Sequence, residues 1–320
     1  MAGIKQNFSD FIVKERVNLK PKKEGKYILA LLKKWGTSTF DVIYDIARKL
    51  KISASEIGRC GIKDKNAITY QYLSLPKKEF NTLKGKNYIL KFIGFIDYPI
   101  SPKNLIFNEF EIIVRNLNNF EKENFESRKD LVKYFGIPNY YGKQRFLAYK
   151  EKTFFIRDLE KGNIKAVFEK IISNRKLKIK PWYKNILKAY QNENFDKSLI
   201  PTTEIEMQYS ILHALEFNKK LSTLIEENYK KKAYLHSKIG LLYFPLEKIL
   251  KIPEKLKIFD NYYKKFFKRK TIVKPENFEY EYVDDQTLKL KFSLPKGAYA
   301  TVLISFLFHA VKLNNDVKLK

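Results

Sequence analysis

Asp64 stands between Lys63 and Lys65 in the run Gly61-Ile62-Lys63-Asp64-Lys65-Asn66-Ala67-Ile68-Thr69-Tyr70-Gln71, just before a strand-like segment. A carboxylate flanked by cations is held in its ionised form, which suits a nucleophile and makes a poor acid. A second group is Ile137-Pro138-Asn139-Tyr140-Tyr141-Gly142-Lys143-Gln144-Arg145-Phe146, a sharp loop punctuated by Pro138 and Gly142. Asn139 offers an amide donor and acceptor that can read the edge of a base. Tyr140, Tyr141 and Phe146 offer stacking faces, and Arg145 a fork for phosphate or carboxylate. A third segment, Phe292-Ser293-Leu294-Pro295-Lys296-Gly297-Ala298-Tyr299-Ala300-Thr301, reads as a strand ending at proline and a glycine turn into a helix. Near the start, Ile4-Lys5 precedes Asp10-Phe11-Ile12-Val13-Lys14-Glu15.

The elements that must position these groups fall into three stretches. In the first, Tyr27 to Trp35, Ala67 to Leu75, Tyr88 to Ile93 and Phe107 to Val114 read as strands. Thr39 is expected to cap a helix with Phe40, Ile43, Ala47 and Leu50 on its apolar face, and Asn119 to Phe135 is a helix stopped by Gly136. The middle is helical, with segments near Ile164 to Asn174, Trp182 to Gln191 and Glu204 to Glu227. From Lys230 to Lys274 the pattern is short-segmented, and Asn261 to Lys270 is a tract of Tyr, Phe, Lys and Arg. Strand alternation returns in Thr287 to Leu294, with a final helix from Ala300. This is an α+β pattern, a sheet with helices on one side, interrupted by a helical insertion.

Composition narrows the chemistry. Among 320 residues, 63 Lys and Arg against 35 Asp and Glu leave a net charge of +28. An A/T-rich genome would supply lysines, but would not hold the acidic residues so far below them. A polyanionic partner is therefore expected, nucleic acid or an anionic membrane surface. No charged region followed by an apolar run lies near Met1, and Tyr299 to Val311, the longest apolar stretch, is too short to span a bilayer and contains His309. No membrane partner is expected. Cys60 is the only cysteine, so a cytoplasmic location without disulfides is expected. With His213, His236 and His309 scattered, no metal site is expected either. Gly142-Lys143 lacks a phosphate-binding loop, since Ile137 stands where the first glycine belongs and Gln144 where Ser or Thr should hold magnesium. No nucleotide or other cofactor is expected.

The run around Asp64 resembles the catalytic loop of the TruD family of tRNA pseudouridine synthases, G-x-K-D-K-x-A-x-T-x-Q. The loop from Asn139 is similar to that family's N-Y-F-G-x-Q-R-F-G, with Tyr141 for Phe and Leu147 for the last Gly. Leu294 to Thr301 resembles its L-P-x-G-(S/A)-(F/Y)-A-T, with Ser305 near the place of an arginine that often follows. Lys5 with Asp10 to Glu15 resembles its opening, a lysine followed by D-F-x-V-x-E. Lys34 to Thr39 is a lesser match without the usual Asn, and Phe217-Asn218 resembles a pair on its long inserted helix.

The resemblance covers essentially the whole chain. It implies a pseudouridine synthase core at residues 1–151 and 274–320, a mixed and largely antiparallel sheet with flanking helices. It also implies a mostly helical inserted domain at 152–273. It implies that Asp64 acts on the ribose or the uracil of a flipped-out uridine, for which the family name points to uridine 13 of tRNA, with another structured RNA as the open alternative. Phe11, Asn139 and Tyr299 are implied to contact the substrate. Lys5, Lys63 or Lys65 would keep Asp64 ionised, Glu15 would orient Lys5, and Tyr141 and Arg145 would support the site. Monomer is the default state. The alternatives are a non-catalytic RNA-binding protein or chaperone on the same fold, or a pseudouridine synthase acting on another RNA site.

Overall fold

A computed structural model describes residues 2–146, 153–174, 177–178, 182–237, 239–249, 251–260 and 263–312. Leu147, Lys152, Asn261 and Tyr262 lie outside the described residues. The chain divides into two compact units, one of residues Met1–Gly136 with Val273–Ala300 and one of Ile137–Ile272 with Thr301–Lys320.

In chain order the first unit runs β1 (Phe11–Val17), β2 (Tyr27–Lys34), α1 (Thr39–Leu50), β3 (Gly58–Arg59), β4 (Ile68–Pro76), β5 (Thr82–Gly85), β6 (Tyr88–Ile96), β7 (Leu105–Val114) and α2 (Asn119–Phe135). The second unit supplies α3 (Ile156–Glu160), α4 (Ile164–Ser173), α5 (Tyr183–Gln191), α6 (Thr202–Asn228), β8 (Lys232–Ser237), β9 (Gly240–Pro245), β10 (Lys255–Asp260) and β11 (Lys265–Lys270). The chain then returns to the first unit through β12 (Glu276–Asp284) and β13 (Thr287–Pro295), and α7 (Ala300–Ile304) follows.

Among the described residues, one nine-stranded sheet forms the first unit, in the order β12-β13-β7-β1-β4-β2-β6-β5 with β3 beside β4. All its pairs are antiparallel except β1 with β4, where Ile12 faces Ile68 and Lys14 faces Tyr70. The expected mixed, largely antiparallel sheet with helices is therefore present. The helix α1 covers one stretch of it, burying Val42, Ile43, Ile46 and Ala47 against Ile28, Ala30, Leu32, Leu73, Leu75 and Leu90. Its cap is Ser38, whose hydroxyl accepts the Asp41 amide, and not Thr39 as expected. Phe40, expected on the buried face, is exposed under the Arg59 guanidinium, because the buried stripe turns one position away, through Val42 and Ile46. Phe125 of α2 meets Tyr280 and Tyr282 of β12 edge-on.

In the second unit, α3 to α5 enclose Phe155, Val167, Phe168, Ile171, Ile186 and Ala189. The short-segmented stretch after α6 resolves into two antiparallel hairpins, β8-β9 and β10-β11. Helix α6 ties down the first through Ser222, which donates to the Leu241 carbonyl and accepts the Tyr243 amide. Among the described residues no helix is long and apolar enough to cross a membrane.

Candidate active site

The Asp64 loop joins β3 to β4, and three buried polar side chains hold its shape. Thr39 Oγ1 accepts the Lys63 amide at 3.0 Å, and Gln71 Nε2 donates to the Gly61 carbonyl at 3.4 Å. The third is Lys34, at the end of β2 and 0% exposed, whose Nζ donates to the carbonyls of Asp64 (2.7 Å) and Thr37 (3.1 Å). Burial lowers the Lys34 ammonium to about 8; the Asp64 charge opposes that fall and the Lys63 charge adds to it.

The Asp64 carboxylate is held from two sides. Oδ1 accepts the Asn66 amide at 2.9 Å, and Oδ2 pairs with Lys5 Nζ. Of the three lysines expected to keep Asp64 ionised, Lys5 pairs with it, from 59 positions away in sequence. Lys5 reaches it from a left-handed backbone, φ 65°, just after Gly3 pairs with Arg115 in both directions. Its ammonium also lies 4.2 Å from the centroid of the Phe11 ring.

Glu15 does not orient Lys5. It is buried, pairs with Lys63 at 2.7 Å, and accepts the Tyr72 amide at 3.1 Å. Lys63 also donates to Asn108 Oδ1 at 2.7 Å, so this flanking lysine is drawn away from Asp64 into the sheet. Distance along the strand explains this: Glu15 shares a face with Phe11, where the Lys5 ammonium lies, but stands four residues, about 13 Å, further along β1. Asp10 immediately precedes β1 and is fully buried. Burial opposes its ionisation, yet the Arg115 fork and the Asn7 amide hold its carboxyl below the ordinary range. Cys60, four residues before Asp64, is a buried thiol that burial pushes up to about 12, so it supplies no competing nucleophile. Phe11 is itself 4% exposed and edge-on to Phe110, while Tyr299 is half-buried in the turn after β13, where Gly297 takes φ 83°.

Asn139, Tyr141 and Arg145 belong to the second unit. The Asn139 amide is engaged at both ends, donating to the Lys270 carbonyl (3.0 Å) and accepting Arg269 Nη2 (2.8 Å). Arg269 also donates to the Asn139 carbonyl and lies 3.9 Å from the Tyr141 ring centroid. Asn218 of α6 clasps the Tyr141 backbone, accepting its amide at 2.8 Å and donating to its carbonyl at 3.0 Å. Arg145 stands over Tyr141 at 5.9 Å and reaches the Ser210 carbonyl. Tyr140 and Phe146, read as stacking faces, are core residues: Tyr140 is fully buried, with its hydroxyl donating to the Tyr243 carbonyl. Tyr141 is the ring left half-buried, and it borders a cavity of about 560 Å³ with Gln144, Phe146, His236, Phe244 and Ser305.

Lys34, Arg269 and Asn218 are the positioning groups that reading the sequence for site residues passed over. Besides the lesser match over Lys34 to Thr39, Lys34 left a physical signal, a cation at an inward position of a strand whose other inward residues are apolar. What the first unit assembles is one restrained carboxylate facing a cation, an arrangement for nucleophilic or base chemistry.

Residues 2–230 match the family model for tRNA pseudouridine synthase D (TruD). The tRNA pseudouridine synthase D of Aquifex aeolicus is 26% identical over 95% of this chain and 97% of its own length. A Methanococcus maripaludis protein described as a probable tRNA pseudouridine synthase D is 30% identical over 72% of this chain and 58% of its own. A Methanosarcina mazei crystal structure described under the same family superposes with a TM-score of 0.60 at 20% identity, covering 95% of this chain and 93% of that one, which speaks for the fold.

Proposed function

The chain belongs to the TruD family of tRNA pseudouridine synthases, and on that premise we propose that it isomerises one uridine of tRNA, uridine 13, to pseudouridine. The N1–C1′ bond breaks, the uracil turns, and a C5–C1′ bond forms; C5 gives up its proton and N1 gains one, so nothing enters or leaves overall. Asp64 acts on the ribose or the uracil as the nucleophile. The target leaves its stack first, at a cost of about a few kcal/mol. Phe11, Asn139 and Tyr299 contact the extruded nucleotide, and Tyr141 and Arg145 support it. Residues 1–151 and 274–320 form the catalytic core, and 152–273 the insertion. The enzyme works as a cytoplasmic monomer.

The observation that carries this reading is the restraint on Asp64: Lys5 on one oxygen, the Asn66 amide on the other, and Lys34 on its carbonyl. A residue fixed at two carboxylate oxygens and at its backbone carbonyl presents that carboxylate to its target in one orientation, which is what a nucleophile in a crowded site requires. Single-turnover reaction with a transcribed tRNA, read by mass spectrometry of the digested RNA, tests it. The expected product is one pseudouridine, absent with Asp64→Asn. No pseudouridine from the unaltered chain, or normal conversion by the variant, overturns the reading.

A further inference from the structure

We propose that the outer face of the β10-β11 ribbon is an RNA-docking surface, taking phosphates on its lysines and a base on its two phenylalanines. The proposal deepens the RNA-modifying reading above and rests on it for the class of partner. Its first support is register. Lys255 faces Lys270, Lys257 faces Lys268, and Phe259 faces Phe266. All six side chains are exposed and share one face of a two-stranded ribbon. Like charges directly opposite each other on neighbouring strands are destabilising, and this face carries two such pairs in succession. Among the described residues no carboxylate pairs with Lys257, Lys268 or Lys270, while Lys255 has Glu254 at 3.5 Å.

The opposite face does the folding. Ile258 and Asp260 are buried, His213 of α6 lies 4.8 Å from the Phe267 ring and 3.4 Å from the Asp260 carboxylate, and Arg269 reaches Asn139. The tract that reads as a uniform basic patch is thus sorted by the pleat. Lys268 and Lys270 point outward, whereas Lys265 lies over the rings of Tyr263 and Phe267 and Arg269 points inward. With the ribbon secured from behind, its outer lysines and rings serve no internal contact that would explain them.

The chemistry of this face selects the occupant. Alternate residues on a strand are about 6.6 Å apart, a step on the scale of successive phosphates in an extended nucleic acid strand. Phe259 and Phe266 are 43% and 59% exposed and meet at 5.1 Å in an edge arrangement, which leaves ring faces for a base. Cations that follow a backbone beside aromatic platforms are the binding mode of single-stranded or splayed nucleic acid. An anionic membrane would also accept such a face, but four lysines to two rings favours a partner held chiefly by charge.

The test uses the full chain and a labelled tRNA transcript, with affinity measured between about 50 and 200 mM salt. Lys257→Gln/Lys268→Gln/Lys270→Gln is expected to flatten the log–log salt slope by about 2–3. Phe259→Ser/Phe266→Ser is expected to weaken binding roughly ten-fold and leave the slope unchanged. Lys257→Glu, placed opposite Lys268, is expected to raise the melting temperature while lowering RNA affinity, which separates docking from folding. Unchanged affinity and slope in the first two variants overturn the proposal. So does loss of binding to phosphatidylserine vesicles with tRNA affinity intact, which would assign the face to a membrane. Pseudouridine formation by the unaltered chain is measured alongside. If that fails while the variants lose RNA affinity, the docking surface stands and the enzymatic reading falls; if it succeeds and the variants bind normally, only the docking surface falls.

Discussion

The Asp64 loop and the β10-β11 ribbon are both rich in lysine, and they use it in opposite ways. Around Asp64 the ammonium groups are turned inward: Lys34 on carbonyls, Lys63 on Glu15 and Asn108, Lys5 on the carboxylate itself. On the ribbon they are turned outward and set against one another across the strands. A buried, paired cation fixes geometry and is poorly screened by salt, whereas an exposed one adds affinity that salt removes. The +28 charge is therefore two populations, and a count of lysines does not distinguish them.

The sharpest division of these roles comes from Asp64→Asn. It keeps the size of the side chain and removes the charge, so conversion should fall below detection while the salt slope of RNA binding stays as it was. If the slope changed as well, the loop would be a binding element and the contrast would fail. Lys34→Met should come next, with single-turnover rate down about a hundred-fold, the scale of a misplaced reacting group. RNA affinity and its salt slope should again be unaffected.

Lys34 also gives the contrast a pH signature. Its folded value, about 8, lies below its unfolded value of 10.5, so between those limits the unfolded chain binds more protons and stability rises with pH. The cost of holding a buried ammonium is present below pH 8 and relieved above it. Urea midpoints measured from pH 7 to 10 should climb more steeply for the unaltered chain than for Lys34→Met. Equal slopes would mean that Lys34 is not held charged in the interior. The smallest effect is expected from Asn218→Ala, which leaves the Tyr141 backbone without two partners and should cost about 1–3 kcal/mol of stability.

Strand alternation made much of the sheet legible, since β4 and β6 bury alternate residues over most of their length and β7 does so at its end, and α2 begins and ends where its flanking Asn118 and Gly136 imply. Asp64 was legible because its loop is local. Its partner was narrowed to Lys5, Lys63 or Lys65, but the choice among them was not legible, because it turns on which residues of β1 and β7 stand beside the loop. Glu15 and Asn108 capture Lys63, and the segment bridged at Gly3 to Arg115 delivers Lys5 instead. The same limit hid the sorting of the ribbon, where register and not composition decides which lysines face out. Tyr140 reads like Tyr141 until tertiary packing buries one and leaves the other half-open.

Arg269 sits between Lys268 and Lys270, and the pleat sends it to the face opposite theirs, where its fork donates to the backbone carbonyl and side-chain oxygen of Asn139 and covers Tyr141. One strand is therefore a handle on one side and a linkage on the other, with no joint between them. A slip of one residue in the register of β11 would exchange the two roles at once, turning Arg269 outward and its neighbouring lysines in.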